Sequence, residues 1–148
     1  MTTLSQTLRA SAESAATHAQ DGALKSSVEL AGRVLLALMF LVSGLSKITG
    51  YTATAGYMAA MGVPGGLLPL VIATEVLGAA AIMLGWQTRI VAFGLAGFTL
   101  LAALLFHSNF ADQTQAIMFM KNVSITGAFL LLVVHGAGRF SLDARRAK

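Results

Sequence analysis

Five side chains in this sequence could bind a ligand or move a proton, and each interrupts or closes an apolar run: Lys47, Glu75, His107, Lys121 and Asn122. Glu75 is the most informative. It stands within GLLPLVIATEVLGAAAIMLG, and a carboxylate at the centre of a bilayer span costs about 2.5–3.5 kcal/mol on insertion scales. Such a group must face protein, hold a proton or meet a cation. It can serve as a proton or ligand site, and equally as an ion pair or hydrogen bond that holds helices together. Lys47 ends an earlier run, with Ser43 one turn before it on the same helical face. It reads as an interface anchor, or as the cation for Glu75 or for an anionic ligand. His107 ends a third run and is either a polar cap or a ligand contact. Lys121 lies four residues into a fourth run. Snorkelling of its long side chain would account for it, but not for Asn122 beside it. The histidines His18, His107 and His135 have no metal-ligand spacing, so no metal site is expected.

The elements that must position these residues follow from composition. The chain has 148 residues, 56% of them hydrophobic and only 11% charged, against about a quarter charged in a soluble domain. Ten basic and six acidic side chains cannot cover such a chain in water, and disorder needs the opposite composition. Four apolar runs stand out: Val28–Ser46, Gly66–Gly85, Ile90–Phe106 and Ile117–His135. Each suffices as a helix to cross a ~30 Å hydrocarbon layer. The expected fold is all-α, an integral membrane four-helix bundle. A short interfacial helix is expected near residues 52–61, between spans one and two, stopped by Gly62 and Pro64. Residues 1–27 read as a polar cytoplasmic tail rather than a secretory signal, 28–138 as the membrane domain, and 139–148 as a basic cytoplasmic tail. Gly44, Gly78, Gly94, Gly97 and Gly127 suit close helix packing.

Charge sets the orientation. Lys25, Arg33, Arg89, Arg139, Arg145, Arg146 and Lys148 fall on one side of a four-span bundle, and Lys47 and Lys121 on the other. The positive-inside rule then places both termini in the cytoplasm. The net charge of +4 is accounted for by topology and anionic lipid, so no nucleic-acid partner is expected. The five polar residues fall between the midplane and the outer face, which suggests a polar pocket in the outer half, roofed by 52–61. There is no cysteine, which removes thiol chemistry from this chain.

The ordered motifs resemble the DoxX family of small bacterial inner-membrane proteins. They are RVLLALMFLVSGLSK (Arg33–Lys47), MGVP (Met61–Pro64), EVLGAA (Glu75–Ala80), LGWQTR (Leu84–Arg89), His107, and Lys121-Asn122 leading to Gly127. The resemblance covers roughly residues 30–140. It implies a four-helix bundle in the inner membrane. Some relatives are membrane subunits of thiosulfate:quinone oxidoreductase, and others associate with redox-stress proteins. Disulfide-forming relatives depend on cysteines absent here. The family positions matched are Lys47, Glu75, His107, Lys121 and Asn122. Arg33 and Arg89 also match, though topology accounts for them.

The leading functional expectation is a membrane component of an oxidoreductase or redox-stress system, with a quinone or small anion at those five residues, no covalently bound cofactor, and a redox partner protein. A structural or assembly module without ligand is the second reading, and a small proton-coupled transporter the third. A homo-oligomer is compatible with each.

Overall fold

The computed structural model describes the backbone of residues 2–146 and the side chains of Gln6, Gln20 and residues 22–146. Most side chains of the expected 1–27 tail, His18 among them, and Lys148 lie outside that set. The helices are α1 (Thr2–Thr49), α2 (Tyr51–Ala60), α3 (Leu68–Leu84), α4 (Thr88–Phe106), α5 (Gln113–His135) and α6 (Leu142–Arg146), with a 3-10 turn at Gly65–Leu67 before α3. Four stretches are long and apolar enough to cross a membrane: Gly22–Thr49, Gly65–Leu84, Thr88–Phe106 and Gln113–His135. The protein is therefore an all-α four-span bundle with a short helix, α2, between the first two spans, as the sequence predicts. Helices satisfy every backbone group internally, as hydrocarbon requires. Their outer faces carry large apolar side chains such as Leu35, Leu77, Ile90 and Phe93.

The bundle consists of two closely packed pairs, α1 with α3 and α4 with α5, and α3 meets α4 less extensively. Gly44 makes the first pair possible. A Cβ there would stand 2.7 Å from Val76 Cγ2 and 3.1 Å from Glu75 Cβ, so any larger residue would push α3 away. The shared core joins Ala37 and Phe40 of α1, Ala79 and Ile82 of α3, Ala92, Leu95 and Ala96 of α4, and Phe129 of α5. Phe40 and Phe129 meet edge to face at 5.3 Å. Gly78 lies against Leu95, but Gly94, Gly97 and Gly127 have nothing within 4 Å of a built Cβ. Their expected packing role is thus corrected. The α4–α5 seam uses Ala92, Leu95, Ala96 and Phe129 instead, and those glycines face outward.

At one end, called proximal here, the α3–α4 turn and the C-terminal segment are tied together. Gly85 caps α3 in the left-handed region (φ 67°). A Cβ there would collide with Ser141 and crowd Arg33 and Ala137, so both conformation and space demand glycine. Arg33, which topology alone would leave at the membrane boundary, is in fact buried at 1% exposure. Its guanidinium donates to the carbonyls of Ala137, Met83 (3.2 Å) and Phe140 (2.8 Å). It thereby holds α1 to the last turn of α3 and to the chain leaving α5, satisfying carbonyls that helix ends leave open.

Residues 139–148 include a docked element, α6. The Asp143 N–H donates to the Gly85 carbonyl at 2.9 Å. Its carboxylate accepts the Gln87 and Thr88 N–H groups at 2.8 and 2.9 Å, capping α4 from the far end of the sequence. Burial opposes the charge on Asp143. The hydrogen bonds from Thr88 and Gln87 and the nearby Arg146 outweigh it and hold the carboxyl below the ordinary aspartate value.

Arg33→Leu strands three carbonyls and should cost about 3–5 kcal/mol. The substitution Arg33→Lys should retain only part of that stability, since one ammonium cannot span the three acceptors. Melting in detergent distinguishes these outcomes from an unperturbed bundle. Asp143→Ala should cost about 1 kcal/mol, as cap losses do. Because the folded value is depressed, the cap contributes fully above the unfolded aspartate pKa of about 4 and is lost as pH falls through the lower folded value. The gap in melting temperature between wild type and Asp143→Ala should therefore be constant at neutral pH and close under strong acid.

Candidate functional site

The opposite, distal end carries α2 and the α4–α5 loop. Here α1 presents Ser43 and Lys47, four residues apart on one face, to Glu75 of α3. The Lys47 ammonium donates to Glu75 Oε1 and Oε2, each at 2.9 Å, and to Ser43 Oγ at 2.6 Å. The Ser43 hydroxyl donates in turn to Glu75 Oε1 at 3.3 Å. Glu75 is 5% exposed, and about a fifth of the Lys47 side chain remains accessible. The insertion cost of the lone carboxylate is thus met by a two-pronged ion pair in which both oxygens are satisfied.

The pair forms the polar end of a cavity of about 350 Å³. The remaining walls are nearly all apolar: Met58 from α2, Leu70 and Val71 from α3, Phe98, Leu101 and Leu105 from α4. The cavity lies in the seam between the two helix pairs, bordered by α3 and α4. Helix α2 lies over it. Met58 is buried, and the Tyr57 ring stacks on Phe106 at 5.7 Å. At α2's C-terminal end the chain turns sharply through Gly62 and returns so closely that Gly65 abuts the Ala55 carbonyl. Among the described residues, no group of three or more His, Asp or Glu side chains converges on a metal-sized site.

The five sequence-predicted residues do not share this cavity. Lys47 and Glu75 line it. His107 ends α4, and its Nδ1 lies 2.7 Å from Gln115 Oε1, bracing the α4–α5 loop. Lys121 is exposed on α5, in a separate shallow groove with Gln113 and Ser124. Asn122 is half-buried, and its carbonyl accepts the Thr126 hydroxyl. The expected pocket with five polar contributors is therefore an apolar cavity with one polar end, because α5 turns Lys121 away from α3. Sequence reasoning missed Phe98, Leu70 and Leu101 as walls, and placed Met58 only within the expected 52–61 roof. Ser43 was visible as the residue one turn before Lys47, and the structure makes it a bridging hydroxyl.

A four-span membrane bundle with a buried Lys–Glu pair at the end of an apolar cavity is the class that these features define. The family model for DoxX matches residues 28–108, and the chain belongs to the DoxX family. It is 54% identical over 114 residues to the inner membrane protein YqjF of Escherichia coli (strain K12), covering 77% of this chain and 88% of that protein. It is 39% identical over 132 residues to the inner membrane protein YphA of the same organism, covering 84% and 94%. Over 103 residues it is 30% identical to a Bacillus subtilis (strain 168) protein named putative oxidoreductase CatD, covering 70% and 72%. No solved structure matches the chain significantly. With these relatives and its four apolar helices, this is a multi-pass inner-membrane protein.

Glu75→Leu alone leaves a buried ammonium and should destabilise the bundle by about 3–5 kcal/mol, whereas Lys47→Leu/Glu75→Leu should come within about 1 kcal/mol of wild type or exceed it. A double-mutant cycle from denaturation in detergent measures the coupling. Additive losses would mean that the pair does not interact.

Proposed function

We propose that this protein is a membrane component of an oxidoreductase or redox-stress system, and that the distal cavity holds a molecule of the quinone class. The observation that carries this reading is a cavity with apolar walls, inside a span of the bilayer, ending on an ion pair of zero net charge. Its volume sits at the lower end of the range for small-molecule sites, and its balance of apolar wall and few polar groups is typical of them. The neutral pair favours an uncharged head over a small anion, since an anion would meet Glu75 as well as Lys47. The name of the relative CatD supports an oxidoreductase context. A chain without cysteine has no dithiol centre, so the reading includes a partner protein that exchanges electrons with the bound molecule. The basic residues at the proximal end, Arg89, Arg139, Arg145 and Arg146 among them, support placing that end in the cytoplasm and the cavity toward the outer leaflet.

A second reading has its own support. The Lys47–Glu75 bond joins α1 to α3 directly, and a structural module would need nothing more of it.

Gently purified protein should carry a quinone near one equivalent, detected by mass spectrometry of its organic extract, and Lys47→Leu/Glu75→Leu should lose it while still inserting. Enrichment no greater than in an unrelated four-span protein would leave the structural module as the reading.

A further inference from the structure

The polar end of the cavity has an unequal hydrogen-bonding capacity. Lys47 has three N–H donors, and all three are engaged, on Ser43 Oγ, Glu75 Oε1 and Glu75 Oε2. The Ser43 hydroxyl hydrogen is engaged on Glu75 Oε1. A carboxylate offers about four lone-pair sites. Oε1 accepts two of these bonds and Oε2 one, which leaves an acceptor site on Oε2. A ligand carbonyl or anion would have to take a donor away from Glu75. A ligand hydroxyl would use the remaining acceptor site and break nothing.

The walls are unequal too. Toward the distal surface α2 lies over the cavity, with Met58 at 4% exposure and Tyr57, itself half exposed, stacked on Phe106. Toward the side, Leu70 and Leu101 both line the cavity, yet they are 65% and 54% exposed. They stand on the outward faces of α3 and α4, which in a bilayer means facing acyl chains. Leu70 and Leu101 therefore border the cavity on the side that faces hydrocarbon, between α3 and α4, while α2 lies over its distal end.

Resting on the proposed reading of this cavity as a quinone-type site, we propose that its ligand is a bilayer-resident amphiphile of the phenol or quinol class. The head hydroxyl donates to Glu75 Oε2, and the tail leaves between Leu70 and Leu101 into the surrounding lipid. The same reading accounts for both halves of the site: a head that brings its own hydrogen, and a body that never enters water. It also makes the reduced form of a quinone couple the better fit, because only that form carries the hydroxyl.

The test uses full-length protein in phosphatidylcholine nanodiscs, with binding read by native mass spectrometry and by the ligand-induced melting shift. The probes are para-decylphenol, its methyl ether, decyl-benzoquinone and para-cresol, each corrected against empty nanodiscs. Para-decylphenol should bind about tenfold or more tighter than the ether and the quinone, as the loss of one hydrogen bond at a charged acceptor implies. That preference should vanish in Lys47→Leu/Glu75→Leu. Leu101→Trp should abolish the advantage of the decyl chain over para-cresol while leaving para-cresol binding intact. Equal binding of phenol and ether, or tighter binding of the quinone, would overturn the head assignment and leave the quinone-site reading standing. An unchanged chain preference in Leu101→Trp would overturn the lateral path of the tail. Failure of every probe, together with an extract free of quinone, would remove the ligand reading itself.

Discussion

A carboxylate cannot lie within a hydrocarbon layer unless something nearby replaces water, and in this protein that something is the ammonium of Lys47. The requirement reaches further than the two side chains. Lys47 must come from the neighbouring helix, so α1 and α3 must approach closely, so position 44 must lack a Cβ. Ser43, one turn before Lys47, bridges the pair and takes the third ammonium hydrogen. A short stretch of α1, Ser43 to Lys47, thus carries the contact surface, the cation and the bridging hydroxyl that Glu75 needs. Loss of the cation would leave a charge in a medium where unpaired charge costs several kcal/mol.

The two ends of the bundle meet different demands. At the proximal end the chain reverses tightly between α3 and α4, and backbone groups at the helix ends need partners. Arg33 supplies them from α1 and Asp143 from α6, while Gly85 removes the side chain that would separate these groups. That end is therefore closed and polar inside. At the distal end the connection from α1 to α3 includes α2, which lies over the cavity, and no connection there joins the pair α1–α3 to the pair α4–α5. The short link between the pairs is thus at the fastened end, and the cavity lies toward the other.

Hydrophobic run length made the four spans legible, because hydrocarbon leaves the backbone few alternatives to a helix. The short helix was legible too: expected near 52–61, it lies at Tyr51–Ala60, where a weakly polar segment meets Gly62 and Pro64. Glu75 stood out as a charge in the wrong solvent, and Lys47 as either an interface anchor or the cation for Glu75 or an anionic ligand. Rotation was the missing quantity. A depth estimate puts Lys121 and Asn122, like Glu75, between the midplane and the outer face, but a helix turns about 100° per residue, and nothing in the runs says which face of α5 meets α4. Arg33 was hidden for a related reason. Counted as one positive charge at a membrane boundary, it looks like Arg89, and only the fold shows that its donors meet carbonyls 50 to 107 residues away in sequence. The glycines show the same limit: Gly44 and Gly94 are alike in sequence, and one is pressed against a neighbour while the other faces open space.

The geometry of the pair bears on whether it is only glue. Two apolar side chains of similar size would join α1 to α3 at least as well, since replacing a buried ion pair with hydrophobic residues is often neutral or stabilising. A pair kept purely for adhesion would also gain from complete enclosure, where neither charge faces a void. Here neither condition holds. Lys47 retains partial access, the carboxylate borders a cavity of about 350 Å³, and that cavity is itself a loss of packing that a larger residue at Thr74 or Ala102 could reduce. A bundle shaped by stability alone would fill this space and discard the charges. Apolar walls on α3 and α4, with an ion-paired carboxylate at one end of the space between them, are what the proposed ligand site requires and what adhesion alone does not.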